Sequence, residues 1–182
     1  MNKKYWKEYY QDLEPTPFAK FCIAYILPRD KIIDFGCGNG RDSYFFASHD
    51  NRTHGIDYAS KPRHSNNVAF WREPLEYILA EPCGKYQVYS RFFLHSITKQ
   101  QIQELIKWSQ NLFMAEFRDA EDIPKLYKDH KRTKVEGEWV KKLLINNGFE
   151  ILYYKKGRNM AKYKGEDPLC VRVIARKKDV PA

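Results

Sequence analysis

The chain has 182 residues, of which 43% are hydrophobic and 15% are aromatic. This length and composition are typical of one globular domain, and no apolar run approaches the roughly 20 residues that span a bilayer. The 32 Lys and Arg residues outnumber the 23 Asp and Glu residues, and the net charge of +9 favours an anionic partner without identifying it. The first residues, MNKKYWKEYY, lack the apolar core of a signal peptide, so we predict a soluble, cytoplasmic protein with one domain over residues 1–182.

The four cysteines, Cys22, Cys37, Cys83 and Cys170, are scattered along the chain. None belongs to a CxxC pair, and no histidine lies near them at ligand spacing. We therefore expect neither a metal site nor a disulfide framework.

Helical and extended patterns alternate along the sequence. Residues 1–28 are predicted to form one or two short helices, in which Tyr9 and Tyr10 lie at helical spacing with Tyr5 and Trp6. Strands are predicted at 31–35, 53–56, 68–71, 86–91, 112–117, 150–154 and 170–175, and helices at 41–48, 74–79, 99–109 and 138–146. This alternation predicts an α/β domain with a mostly parallel sheet covered on both faces.

The first strand-to-helix turn contains the motif DFGCGNGR, with Gly36, Gly38 and Gly40. In an open α/β sheet, ligands bind beyond the carboxyl ends of the strands, and glycines let the backbone approach them. A phosphate-binding P-loop needs a Lys-Ser/Thr pair after its second glycine, which is missing here. A dinucleotide fingerprint needs GxGxxG, whereas this spacing is GxGxG. Both of these nucleotide sites are therefore disfavoured.

Two acidic residues favour a different cofactor. Asp34 stands two positions before the first glycine, where it would repel a pyrophosphate but attract the ammonium group of S-adenosylmethionine. Asp57 follows the second predicted strand, where its carboxylate can accept both hydroxyl protons of a ribose. Tyr58 could pack on the adenine, and Glu73 could accept from its amino group. The alternative for Glu73 is a charge that is favourable at the N-terminus of the next helix.

The sequence resembles class I S-adenosylmethionine-dependent methyltransferases, since DFGCGNG matches their acidic-x-Gly-x-Gly-x-Gly motif. The stretches GIDYAS, YSRFFLHSI, AEFRDAED and EDPLCVRVIARK narrow the resemblance to methyltransferase domains of bacterial kinase-methyltransferases that terminate O-antigen chains by methylating a terminal phosphate. The resemblance implies a Rossmann-like sheet of seven mostly parallel strands, with helices on both faces and the last strand antiparallel. It also implies a set of cofactor-binding residues: Asp34, Gly36, Cys37, Gly38, Gly40, Arg41, Asp57, Tyr58 and Glu73.

A phosphate acceptor is already anionic at neutral pH, so its methylation requires alignment of the reactants and exclusion of water more than a general base. Cations that orient its oxygens are then the useful side chains. Arg91 and His95 lie at the end of the fourth predicted strand, Arg118 lies at the end of the fifth, and Arg132 lies further along the chain. The N-terminal segment 1–28, with Tyr9 and Tyr10, is the predicted lid.

These residues also have structural interpretations. Arg91 could simply pair with Glu116 or Asp119, and His95 could cap a helix. Arg41 could contact the cofactor carboxylate or Asp42. The N-terminal tyrosines could belong to the core rather than to a lid.

Two other functions stay open at this point. The positive charge is compatible with an RNA methyltransferase, although no (Asp/Asn/Ser)-Pro-Pro-Tyr motif for amino-group methylation is present. The chain could also be a non-catalytic partner subunit that binds S-adenosylmethionine. We expect a small or glycan-linked acceptor that carries an anionic group, with a phosphate oxygen as the atom that is methylated.

Overall fold

The computed structural model describes residues 14–58, 62–122, 132–162 and 165–178. The strands are β1 (Lys31–Phe35), β2 (Arg52–Ile56), β3 (Val68–Trp71), β4 (Tyr86–Arg91), β5 (Leu112–Arg118), β6 (Phe149–Gly157) and β7 (Cys170–Lys177). The α-helices are α1 (Pro17–Cys22), α2 (Arg41–Ser48), α3 (Leu75–Ala80), α4 (Lys99–Trp108) and α5 (Gly137–Asn146), and short 3-10 turns lie at Ile23–Tyr25 and Leu94–Ser96.

The seven strands form one sheet in the order β3-β2-β1-β4-β5-β7-β6. β1 pairs in parallel with both β2 and β4, whereas β7 is antiparallel to both β5 and β6. The direction in which successive strands are added therefore reverses between β1 and β4. The predicted fold class, a mostly parallel seven-stranded sheet with an antiparallel last strand, is confirmed.

Two apolar layers cover the two faces of the sheet. One contains Ile102 and Leu105 of α4 and Val140 of α5, packed against Val88 and Phe113. The other contains Phe18 of α1 and Phe46 of α2, packed against Ile32, Tyr89 and Ile174. All seven residues of β5 are buried, as expected for a strand covered on both faces.

The strands and helices predicted between residues 31 and 175 are all present, several of them with shifted ends. β6 extends to Gly157, beyond its apolar segment, because its ladder with β7 continues through Lys155 and Lys156. Backbone hydrogen bonds do not require apolar side chains, so periodicity underestimates this strand. α3 begins at Leu75, with Pro74 at the N-cap position rather than in the helix. Every helix in the described ranges is too short or too polar to span a bilayer.

Candidate functional site

A cavity of about 270 Å³ lies beyond the carboxyl ends of β1, β2 and β4, where the strand order reverses. Its walls come from the loop after β1, the end of β2, the start of α3 and the residues after β4. The residues that line it include Asp34, Gly36, Cys37, Asn39, Arg41, Asp42, Asp57, Tyr58, Glu73, Glu76, Arg91, Phe92 and Phe93. This is the place where open α/β sheets bind ligands.

The glycines in the loop between β1 and α2 let this loop pack closely against neighbouring side chains. Gly36 has φ +75° and Gly40 has φ +81°, values in the left-handed region that favours glycine. A Cβ atom at Gly36 would lie 2.9 Å from Phe93, and one at Gly40 would lie 2.6 Å from Phe70. The loop can therefore pack this tightly only with glycine at both positions.

Asp57 is held by this loop. The backbone N–H of Gly38 donates a 3.0 Å hydrogen bond to Asp57 Oδ2. Asp57 is half-buried and lines the cavity. The carboxylate at the end of β2 is thus oriented by the backbone of the glycine loop.

Asp34 is a buried carboxyl group in the cavity wall. It is 2% exposed, and Ser43 Oγ donates a 2.6 Å hydrogen bond to its Oδ2. Burial, together with the neighbouring charge of Asp42, raises the pKa of Asp34 to about 8. A cation bound beside it would favour its ionised form.

Asp42 joins α2 to the start of α1. Its Oδ1 accepts from the backbone N–H of Thr16 at 2.7 Å, and its Oδ2 accepts from the Thr16 hydroxyl at 2.9 Å and from Tyr89 Oη at 2.7 Å. Thr16 is also the N-cap of α1. Asp42 lines the cavity, so the first described helix is attached directly to the cavity wall.

The charge of the cavity wall is predominantly negative. Besides Asp34, whose raised pKa keeps it mostly protonated at neutral pH in the unliganded protein, four acidic residues line it against two arginines: Asp42, Asp57, Glu73 and Glu76 against Arg41 and Arg91. The chain as a whole has a net charge of +9, so the cavity opposes the overall charge of the protein. Such a wall attracts a cationic ligand and repels a polyphosphate.

Arg91 is one of the two arginines that line the cavity. Its Nε donates a 2.9 Å hydrogen bond to Glu116 Oε1, and its guanidinium lies 4.4 Å from the centroid of the Phe92 ring. Arg91 therefore pairs with Glu116, as one interpretation of the sequence expected, and it also lines the cavity.

The other residues predicted to contact the acceptor lie elsewhere or outside the described ranges. The guanidinium of Arg118 is bonded to Asp122 at 2.9 Å and to Glu166, and it lies 5.9 Å from the Phe92 ring. His95 is buried, with its ring 5.6 Å from that of Phe92. Neither residue lines the cavity, and Arg132 does not line it either. Arg132 is next in sequence to Thr133, whose backbone N–H donates a hydrogen bond to the carbonyl of His95. Tyr9 and Tyr10 lie outside the described residues.

Seven of the nine residues predicted to bind the cofactor line the cavity, and Gly38 and Gly40 shape the loop behind it. The sequence analysis missed Asp42 and Phe92 as cavity residues. Phe92 has φ +55°, a strained value for a large side chain, which no local sequence pattern reveals. Asp42 could have been found as an acidic residue in the first turn after the glycine loop. Among the described residues, no group of three or more His, Cys, Asp or Glu side chains is arranged to hold a metal ion.

No protein-family model matches the sequence, and no curated protein matches it. Solved structures do match the fold. An S-adenosylmethionine-dependent methyltransferase from Methanosarcina mazei is 16% identical, with a TM-score of 0.68 over 86% of this chain and 96% of its own. Magnesium protoporphyrin IX methyltransferase from Synechocystis PCC 6803, solved with bound S-adenosylhomocysteine, is 18% identical, with a TM-score of 0.62 over 88% and 80%.

The 4+2 cyclase SpnF is also similar, with 13% identity and a TM-score of 0.63 over 87% of this chain and 79% of its own. The chain therefore has the Rossmann-like fold of class I methyltransferases. At these identities the likeness concerns the fold, and the reaction has to be argued from the cavity.

Proposed function

We propose that this protein transfers a methyl group from S-adenosylmethionine to an acceptor that carries an anionic group, and that the acceptor atom is a phosphate oxygen. The single observation behind the proposal is the carboxylate-lined cavity, in which the glycine loop orients Asp57. The fold shared with methyltransferase structures supports it. The sequence resemblance to domains that modify O-antigen chains supports a glycan-linked phosphate.

The cavity residues fit the proposed cofactor. S-Adenosylmethionine has a sulfonium and an ammonium group, which suit a wall with five carboxyl groups and two arginines. We assign Asp34 to the ammonium group, Asp57 to the ribose hydroxyls, and Tyr58 and Glu73 to the adenine. A dinucleotide would place its pyrophosphate beside Asp34 and Asp42. The bound cofactor would supply an electrophilic methyl carbon.

The residues of the protein itself would then align the acceptor and exclude water. Arg91 is the cation of the cavity that suits an acceptor oxyanion, because its guanidinium can donate two parallel hydrogen bonds. A phosphate is ionised at neutral pH, so its oxygen needs no general base. His95 and Arg118 both lie against Phe92, and with Arg132 and the N-terminal Tyr9 and Tyr10 they are proposed to shape the acceptor end.

Isothermal titration calorimetry with S-adenosylmethionine and S-adenosylhomocysteine tests the cofactor. Transfer of a labelled methyl group to matched phosphorylated, carboxylated and uncharged glycans then tests the acceptor, with generic RNA as a further acceptor. We expect cofactor binding and labelling of the phosphorylated glycan. Absence of cofactor binding would overturn the proposal.

Labelling of RNA would favour the nucleic-acid methyltransferase that the net charge of +9 allows. Tight cofactor binding without transfer to any acceptor would favour a non-catalytic partner subunit. It would also favour a different reaction on this fold, as the similarity to a cyclase illustrates.

A further inference from the structure

Three charged side chains on neighbouring strands form a buried row that starts at the cavity. Arg91 of β4 is the cross-strand partner of Glu116 of β5, and Glu116 is the cross-strand partner of Arg172 of β7. Arg91 Nε donates to Glu116 Oε1 at 2.9 Å, and Arg172 Nε donates to Glu116 Oε2 at 2.6 Å. The side chain of Glu116 is fully buried. One carboxylate therefore serves two guanidinium groups.

We propose that Arg172, which does not line the cavity, is a positioning residue that maintains an oxyanion site at Arg91 for the anionic group of the acceptor. Because Arg172 shares Glu116, the carboxylate orients Arg91 without fully neutralising it. This inference rests on the proposed function, and it explains how an arginine already paired with a glutamate can still attract an anion.

The geometry leaves Arg91 able to bind a ligand. Its Nε is used by Glu116, and one face of its guanidinium is covered by Phe92 at 4.4 Å. Among the described residues, neither terminal nitrogen of Arg91 has a hydrogen-bond partner, and the side chain lines the cavity. These two nitrogens form the fork that binds carboxylates and phosphates with two parallel hydrogen bonds.

Arg172 itself is confined away from the cavity. Its Nη2 donates a 2.8 Å hydrogen bond to the Met160 carbonyl, and its guanidinium lies 5.4 Å from the Phe18 ring and 6.0 Å from the Phe21 ring. Helix α1 thus covers Arg172. Arg172 can therefore influence a ligand in the cavity only through its ion pair with Glu116 and through the positive charge of its own guanidinium.

The charge count gives the direction of that influence. The two positive charges of Arg91 and Arg172 and the negative charge of Glu116 give this row a net charge of one positive unit. The three side chains have little exposure to solvent, so their charges are weakly screened. Asp42 adds a negative charge nearby, which Thr16 and Tyr89 already bond. Removal of Arg172 lowers the local charge by one, so we expect it to weaken oxyanion binding.

The test is the binding of inorganic phosphate to the protein saturated with S-adenosylhomocysteine, measured by ³¹P NMR titration. We expect Arg172→Met to weaken phosphate binding by about tenfold or more, while the affinity for S-adenosylhomocysteine changes less than about twofold. Arg172→Lys keeps the charge and should stay within about threefold of the parent protein. Arg176→Met, on an exposed position of the same strand, is the control and should change neither affinity.

Any other binding result from folded variants contradicts the inference. Unchanged phosphate binding in Arg172→Met, or equal losses in the Met and Lys variants, would show that the charge of Arg172 has no role. Phosphate that binds only without S-adenosylhomocysteine would assign Arg91 to the cofactor carboxylate, and no phosphate binding in the parent protein would remove the site. If Arg172→Met does not fold, Arg172→Gln, which keeps an amide donor, replaces it.

A failure of the proposed function would be recognised by a different result from a failure of this inference. In that case S-adenosylhomocysteine would not bind to the parent protein at all. The same variants titrated with phosphate alone would still show whether Arg172 controls an anion site at Arg91.

Discussion

The backbone N–H of Gly38 lies 3.0 Å from Oδ2 of Asp57, so the loop after β1 holds the carboxylate at the end of β2. The two residues are 19 positions apart in sequence. They meet because β1 and β2 are parallel neighbours whose carboxyl ends lie at the same edge of the sheet. This bond links the two parts of the chain that we assign to the cofactor.

The first prediction concerns Asp57. Asp57→Ala should weaken S-adenosylmethionine binding by about 2–3 kcal/mol, because charge-assisted hydrogen bonds to the ribose are lost. Calorimetry measures the affinity, and circular dichroism should show that the fold survives. Glu104→Ala, on an exposed position of α4, is the control. An unchanged affinity in Asp57→Ala would remove this residue from the site.

The second prediction separates the ligand-binding role of Gly38 from its backbone conformation. Gly38 has φ +58°, and Gly84 has φ +59° in an exposed turn where an added Cβ would meet no atom within 4 Å. Gly38→Ala and Gly84→Ala should therefore lose comparable stability, about 1 kcal/mol each, in thermal unfolding. Only Gly38→Ala should weaken S-adenosylmethionine binding, and Gly38→Val should abolish it.

Equal cofactor affinities in the two alanine variants would contradict this assignment. The glycine loop would then serve the fold and not the ligand.

Most residues that we assign to the cofactor could be placed at the cavity from sequence, because their signals are local. Asp34 lies near the end of the first strand, and the glycines and Asp57 follow strands whose apolar pattern is short and clear. Parallel strands bring these ends together. Seven of the nine predicted residues accordingly line the cavity.

The surroundings of the residues that we assign to the acceptor were less accessible from sequence, because they depend on the register of the strands. Arg172 meets Glu116 across 56 residues, and only the pairing of β5 with β7 brings them together. The same limit applies to Arg118, whose partner Glu166 is 48 residues away. A strand end places a side chain at the correct edge of the sheet, but its ion-pair partners decide whether it reaches the cavity.

The third prediction follows from the buried carboxyl of Asp34. Its pKa is raised to about 8, so between about pH 4 and pH 8 the folded protein keeps a proton that the unfolded chain has released. The contribution of Asp34 to the free energy of unfolding therefore falls as the pH rises through this interval. Asp34→Asn does not titrate, and its Oδ1 can still accept from Ser43.

We expect the melting temperature of Asp34→Asn, relative to that of the parent protein, to rise between pH 5 and pH 8. The change should correspond to at least about 1 kcal/mol, or about 2–4 °C. Glu104→Gln should show no such trend. A constant difference at both pH values would mean that Asp34 is ionised in the folded protein, and cofactor binding should weaken in Asp34→Asn in either case.

The fourth prediction distinguishes a phosphate acceptor from a hydroxyl acceptor. A hydroxyl group needs a base such as His95, so the rate would rise with the titration of a histidine, and His95→Ala would lower it by about 10²–10⁴. A phosphate becomes a dianion at about pH 6 without a general base from the protein, so the rate should level off above that pH. We expect the second pattern, with part of the activity kept in His95→Gln.

The structure refines this prediction for the two arginines. Arg91 lines the cavity, whereas the guanidinium of Arg118 is already bonded to Asp122 and Glu166. Arg91→Lys should therefore raise the KM for a phosphorylated acceptor more than Arg118→Lys does, because a lysine cannot donate two parallel hydrogen bonds to the oxyanion. Steady-state kinetics of both variants across about pH 5 to 9, the range around the phosphate titration, measure the difference. If both keep the parent rate and KM while His95→Gln is inactive, the phosphate acceptor is wrong and a hydroxyl acceptor replaces it.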